Sequence, residues 1–430
     1  MVLSLGLFLG ISFVLIAGAL VYDSSGYFGF ASPVGIFYLL FVLFIYVGTI
    51  LLKIGITLSY AESVPTYPLL LGIAIFVFAL GAYTTKTILD FDSFEETYTY
   101  ANRSVKSDIG TNVYLFVVIA SMVLAFWVTL VYAQNGSPLL SDISYRSWAA
   151  SMSWGMVAIT LLLPFSSLLL LSYGYAKQNT LFWRCGIIAL GLSLLFMLLT
   201  SRRYPVLDFG IWAVCLYTYL RFKEYVDMAR ILVYGAALAV PFFVGVQLVR
   251  HPEPGAIENV LIAAGRYMRN RILLSEATGV NYIFATFPQE HDFFGGALFV
   301  DQAISILPGF GHDVSFGSTL FDAVFAGEGG YMPPTFIGEM YADFGLIGYV
   351  GLFTWGGILQ TIFVVFVRIR KTPLTVVLFA ITSGLLGRSL IQGFLSPTNQ
   401  IKYIVLFVLP LVLLSVTVPE LRFVVSKRKQ

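Results

Sequence analysis

The sequence predicts an all-α integral membrane protein with about eleven transmembrane helices and one long helical extracytoplasmic loop. Three observations carry that expectation. Of 430 residues, 58% are hydrophobic and only 11% are charged, against about 25% charged in a soluble chain. Mean hydropathy is +0.86, too apolar to cover a water-facing surface. The apolar residues also gather in runs of about 20, the length that crosses a bilayer core as a helix. Two or three soluble domains, which the length alone would allow, are excluded.

The predicted spans lie near 2–22, 33–55, 66–85, 113–133, 154–175, 185–200, 205–220, 231–249, 345–367, 373–392 and 402–418. The span at 205–220 is short and carries Asp208 near its start. The first run has no positive residue before it, unlike a cleaved signal peptide, so it is expected to stay as a helix. Residues 1–430 are expected to form a single polytopic membrane domain, with 250–344 as an extracytoplasmic cap within it.

Orientation follows from Lys and Arg in the short loops. Lys86, Arg103, Lys177, Arg184, Arg221, Arg368, Arg370, Lys371 and the basic C-terminus fall on one side, expected to be cytoplasmic. The opposite side carries mostly Arg: Arg146, Arg202, Arg203, Arg250, Arg266, Arg269, Arg271 and Arg388, with Lys53 and Lys402. A planar guanidinium fork suits phosphate and carboxylate. Any one of these arginines could simply snorkel to lipid headgroups; the set runs against the positive-inside trend.

The long outer loop holds His251, His291 and His312. It opens on the breaker HPEPG (251–255), continues in a helix-like stretch at 258–279 that Gly279 would stop, and adds a short amphipathic stretch at 296–307. Glycine-rich turns follow at 309–318 and 327–334. Its Phe, Tyr, Ile and Leu content argues against disorder. The expectation is a folded cap of short helices lying on the outer leaflet.

Several chemistries lose support. No GxGxxG, Walker loop, HExxH or GxSxG occurs. The histidines have no metal-ligand spacing, and no DxD-like pair stands outside to hold a cation with a nucleotide sugar. Cys185 and Cys215 sit in apolar runs, against a disulfide scaffold or a Cys-based metal site. A net charge of +2 gives no basic field for nucleic acid. No cofactor and no metal are expected. Phosphate chemistry outside would fall to Arg, helix N-termini and glycine loops.

Four outer segments combine polar groups with membrane depth. They are QNGSPLLSDISYRS (134–147), TSRRYP (200–205), GGYMPPTFIGEMYADFGLIG (329–348) and GLLGRSLIQGFLSP (384–397). In the third, Glu339 and Asp343 are spaced i,i+4 and are expected at a helix start, where both would suit the dipole. In the fourth, Arg388 lies in an otherwise apolar helix, and an intramembrane arginine is a functional-site hypothesis by default.

At this point the sequence resembles a family, the Wzy-type O-antigen and oligosaccharide repeat-unit polymerases. NGSPLLSDISYRS follows a central helix, and SRRYP stands at an outer helix end. FFGGALFVDQAISILPGFG lies in the long outer loop, and GGYMPPTFIGEMYADFGLIGYVGLF follows it. GRSLIQGF on the penultimate helix and a basic C-terminus complete the order, over about residues 113–418. The resemblance implies a GT-C-like, metal-independent membrane glycosyltransferase. Such enzymes transfer a growing glycan from undecaprenyl diphosphate to a new lipid-linked unit, at the outer face of the bacterial inner membrane. It also implies a membrane-bound chain-length regulator as partner.

Under that resemblance, Arg202, Arg203 and Arg388, with Arg146, Arg266 and Arg269, are the expected holders of the diphosphate. Glu339 is the first candidate for general base, with His312, Asp301 and Asp343 in reserve. Tyr331 and Tyr341 would shape the sugar groove. Two rivals stand beside it. An O-antigen ligase uses the same donor with a different acceptor. A flippase for lipid-linked sugars would be expected to show inverted repeats or matched broken helices, and neither is visible.

Overall fold

The computed structural model describes residues 2–56, 65–105, 111–138, 153–200, 203–221, 265, 269, 274–304, 317, 321 and 335–392. The expected spans at 231–249 and 402–418 lie outside the described residues. Among those described there is helix but no strand. Eight helices are long and apolar enough to cross a membrane, and a shorter apolar helix covers Pro205–Leu220. This makes the chain a helical, multi-pass membrane protein.

The described residues divide into two units. The first contains those up to 98, those of 265–368 and 385–392. Helix α1 (Val2–Ser25) ends in a 3-10 turn at Gly26–Ala31. The next span, α2 (Pro33–Lys53), starts cleanly because Ser32 accepts a hydrogen bond from Gly35 N and Pro33 occupies the first turn. Within α2, Phe41–Tyr46 widens into a π-helix.

Helix α3 (Pro68–Ile88) runs parallel to α1. Gly10 and Gly72 meet where the two helices touch, and Lys86 pairs with Asp23 at their far ends. A long helix of the C-terminal half, Gly348–Arg368, lies parallel to α3. A Cβ on Gly81 would collide with the carbonyl of Phe353, and one on Gly356 with that of Phe78. Glycine is what permits this backbone approach, as is common between membrane helices. At the end of that helix Arg368 grips both oxygens of Glu96, at 2.8 and 2.9 Å.

The second unit contains the described residues of 99–221 and 369–384. Helix α4 (Ser93–Asn102) leads into it, and α5 (Thr111–Asn135), α6 (Gly155–Lys177), α7 (Thr180–Leu199) and α8 (Arg203–Arg221) follow. The α6–α7 hairpin turns on Gln178, at φ 52°, and Asn179 caps α7 by accepting from Leu181 N and Phe182 N. Tyr219 stacks on Phe379 at 3.9 Å and donates to Ser383 Oγ at 3.0 Å. Lys371 is 2% exposed, donates to the carbonyls of Tyr100 and Ala101, and sits over the Tyr100 ring. Burial, and then the positive charge of Arg103, push its amine down to about 8.

In the first unit lie the described residues of the segment expected as a cap. Its described helices are α9 (Ser275–Thr286), α10 (Ala297–Ile304) and α11 (Phe336–Phe344), followed by α12 (Gly348–Arg368). Gly279 does not stop a helix; it is buried in the first half of α9. Both α9 and α11 pack into the unit. Most residues of each are buried, because Gly338 lets α11 press onto Ile283 of α9. The expected span at 345–367 corresponds to α12. The chain turns before it at Gly345, at φ 61°, and α11 folds back along α12, so that Phe336 reaches Trp355 at 5.8 Å.

The penultimate span also breaks. Helix α13 (Pro373–Gly387) is followed by the short α14 (Ser389–Gln392), and Arg388 is the residue between them. The continuous helix expected around Arg388 is therefore interrupted at the arginine itself.

Candidate functional site

Among the described residues the first unit buries four charged ones: Glu276, Glu339, Asp343 and Arg388, at 1, 5, 1 and 3% exposure. Buried charges are costly unless other groups compensate them, so their placement is the main chemical fact about this unit. They sit on α9, α11 and the α13–α14 break.

Helix α11 positions Glu339. Thr335, at φ 24°, caps it by accepting from Gly338 N at 3.2 Å. Glu339 occupies the first turn, where a carboxylate meets the positive end of the helix dipole. One turn earlier, Phe336 packs on Trp355, whose Nε1 donates to Ser389 Oγ at 2.9 Å. Helix α11 and α14 are in direct contact. Glu339 and Arg388 are thus carried on elements that pack together, although about fifty residues separate them in sequence.

Asp343 does something other than expected. It lies in the last turn of α11, the wrong end of its own helix for a carboxylate. Its side chain reaches the start of α10 instead. Oδ1 accepts from Gly296 N at 2.9 Å and Leu298 N at 3.3 Å, and Oδ2 accepts from Phe299 N at 3.0 Å. Main-chain bonds reinforce the joint, from Phe294 N to Ala342 O and from Gly295 N to Asp343 O. The Glu339–Asp343 pair therefore serves two helix N-termini, one carboxylate each.

Helix α9 closes the region. Asn281 donates to Thr49 Oγ1 and to Ala277 O, each at 2.8 Å, and accepts from Tyr67 N at 2.8 Å. This ties α9 to the C-terminal end of α2 and the start of α3. The π-helical part of α2 touches both α9 and α14, and such widened turns recur at functional sites. Tyr341 is buried in an aromatic cluster with Phe284 and Phe293, and its hydroxyl donates to Phe287 O at 3.4 Å.

Of the other sequence candidates, Arg269 is exposed. Arg146, Arg202, Arg266, His312 and Tyr331 lie outside the described residues, as do the side chains of Arg203 and Asp301. Sequence reasoning missed Glu276, which looks like one more polar residue in an amphipathic stretch. Its neighbours supply the signal: the run ILLSEATGV has no other charge after Arg271. Among the described residues no cluster of His, Cys, Asp or Glu could hold a metal ion.

The fold and these buried charges define a class, a multi-pass helical membrane protein with buried ionisable residues in its first unit. No protein-family model, curated protein or solved structure matches the chain.

Proposed function

We propose that the protein is a Wzy-type polymerase of lipid-linked oligosaccharide repeat units, acting at the outer face of the bacterial inner membrane. The observation that carries the reading is the buried Arg388, at a break in a membrane helix and directly before α14, which packs against the short helix that presents buried Glu339. A planar guanidinium fork suits phosphate oxygens, and a diphosphate is what a membrane-borne glycan donor brings with it.

In this reading Glu339 takes the proton of the acceptor hydroxyl as that oxygen attacks the anomeric carbon of the donor sugar. The bond from that carbon to the diphosphate oxygen breaks with inversion, and its electron pair leaves on undecaprenyl diphosphate. Arg388 stabilises the developing charge, most strongly in the transition state. Arg146, Arg202, Arg203, Arg266 and Arg269 are the further candidates for holding the diphosphate. Asp343 supports the reading indirectly, by fixing α10 against the helix that carries Glu339. A membrane-bound chain-length regulator is the expected partner.

The test is reconstitution. Purified protein in lipid nanodiscs, given a lipid-linked repeat unit, should produce a ladder of lengthening products on a gel. Glu339→Gln should reduce the ladder to single units. A single transfer onto a core-lipid acceptor, with no ladder, would identify a ligase instead. No product from the intact protein would refute glycan transfer.

A further inference from the structure

A cavity in the second unit lies at the end of the helices where Lys177 and Arg103 stand, and it plays no part in the proposed glycan chemistry. It is an open pocket of about 560 Å³ between the chain after α4 and the α6–α7 turn. Ser104, Gln178, Asn179 and Thr180 supply polar walls, and Tyr175 and Trp183 supply aromatic ones. The size falls within the range of ligand sites, about 300–1,000 Å³.

Three features point to its occupant. First, among the described residues, the charges beside it in sequence have one sign. Arg103, Lys177 and Arg184 are all exposed beside the cavity, and neither 99–105 nor 174–184 contains an acidic residue. Buried Lys371 stands close enough to Arg103 for their charges to repel. Second, Tyr175 and Trp183 are 38% and 43% exposed, as amphipathic rings are at the headgroup level of a bilayer. Third, the α7 wall of the cavity continues as an exposed apolar face. On α7, Ile187 lies one turn on from the cavity-lining Trp183 at i+4 and beside Arg184 at i+3, and it is 50% exposed.

We propose that this cavity binds the headgroup of an anionic phospholipid. The polar wall would receive the phosphate, with Arg103, Lys177 and Arg184 balancing its charge. The acyl chains would run down α7 along Trp183 and Ile187. Arginine on that face extends its stem along the chains and keeps its head at the phosphate. A soluble phosphate would meet the same cations but could not use the apolar face. Basic pockets between membrane helices are suited to anionic headgroups.

The experiment uses the full-length protein in detergent, titrated with phosphatidylglycerol and read by native mass spectrometry. Phosphatidylcholine and glycerol 1-phosphate are the comparison ligands. Phosphatidylglycerol should bind in preference to both. Each basic residue near an anionic headgroup is worth roughly fivefold, so Arg103→Ala/Lys177→Ala/Arg184→Ala should weaken it by about a hundredfold. Ser104→Trp fills the cavity with every charge kept and should also abolish the preference. That second variant keeps the proposal testable if the triple variant fails to fold. Equal binding of phosphatidylcholine, or unchanged binding by Ser104→Trp, overturns it. If glycerol 1-phosphate competes as well as the lipid does, the ligand is a soluble phosphate and the lipid assignment fails.

Discussion

Asp343 offers the sharpest separation of structural from catalytic work. It accepts three backbone N–H groups at the start of α10 while only 1% exposed. A hydrogen bond to a charged group contributes about 1.5–3 kcal/mol, and losing a helix N-cap costs about 0.5–2 kcal/mol. Two considerations set Asp343→Ala at about 2–4 kcal/mol rather than at the sum. Phe299 is 37% exposed, so water can reach part of the helix start. The main-chain bonds to Ala342 O and Asp343 O also survive the substitution.

Asp343→Asn is the finer probe. It keeps the oxygen facing Gly296 and Leu298 but turns an NH2 toward Phe299 N, so about 1–2 kcal/mol is lost. Hydrogen exchange at the amides of Gly296, Leu298 and Phe299 reads this directly. Protection should fall about 5–30-fold in Asp343→Asn and further in Asp343→Ala. Exchange in α12 should stay unchanged. Unaltered protection at 296–299 would refute the capping argument. Loss of chain growth in Asp343→Asn with protection intact would return Asp343 to the role of base.

Three other perturbations test separate links. Arg388→Ala should leave the protein inserted yet stop chain growth, and Arg388→Lys should also impair it because a point charge does not replace the planar fork; a normal product ladder from both would remove Arg388 from the diphosphate site. Gly81→Leu or Gly356→Val should force α3 and α12 apart at the carbonyls of Phe353 and Phe78, costing at least the roughly 1–3 kcal/mol of overpacking; a thermal midpoint equal to wild type would contradict the close approach. Lys371 has an amine held near 8 against 10.5 in a free chain, so the folded state binds fewer protons between those values. Stability should rise as pH goes from about 8 to 10.5, by about 3 kcal/mol at most. Lys371→Met should flatten that rise in a detergent unfolding series, and an unchanged slope would exclude Lys371 as its source.

Much of the architecture is legible in composition and hydropathy, because a bilayer imposes one rule on every segment. A run of about 20 apolar residues must become a helix to satisfy its own backbone. Runs at 2–22, 33–55, 66–85, 113–133, 154–175 and 185–200 correspond to described helices for that reason. The run at 205–220 became the shorter apolar helix. The positions of Glu339 and Arg388 as buried charges were also legible, since an ionisable residue in an apolar stretch stands out.

What the sequence alone determined is which segments enter the membrane and which few charges enter with them. The tertiary structure decided what those charges do. Spacing of i,i+4 put Glu339 and Asp343 on one helix face, but the bend at Gly345 and the approach of 294–299 gave Asp343 to a different helix. Nothing local could reveal that, because the groups it caps lie more than forty residues earlier. Glu276 escaped notice for a similar reason. Its burial depends on α9 packing against α2 and α11, and the glycine that allows this, Gly338, belongs to another segment. Hydropathy acts on each segment by itself, whereas pairing and capping of buried charge depend on segments distant in sequence, and only the folded chain brings those together.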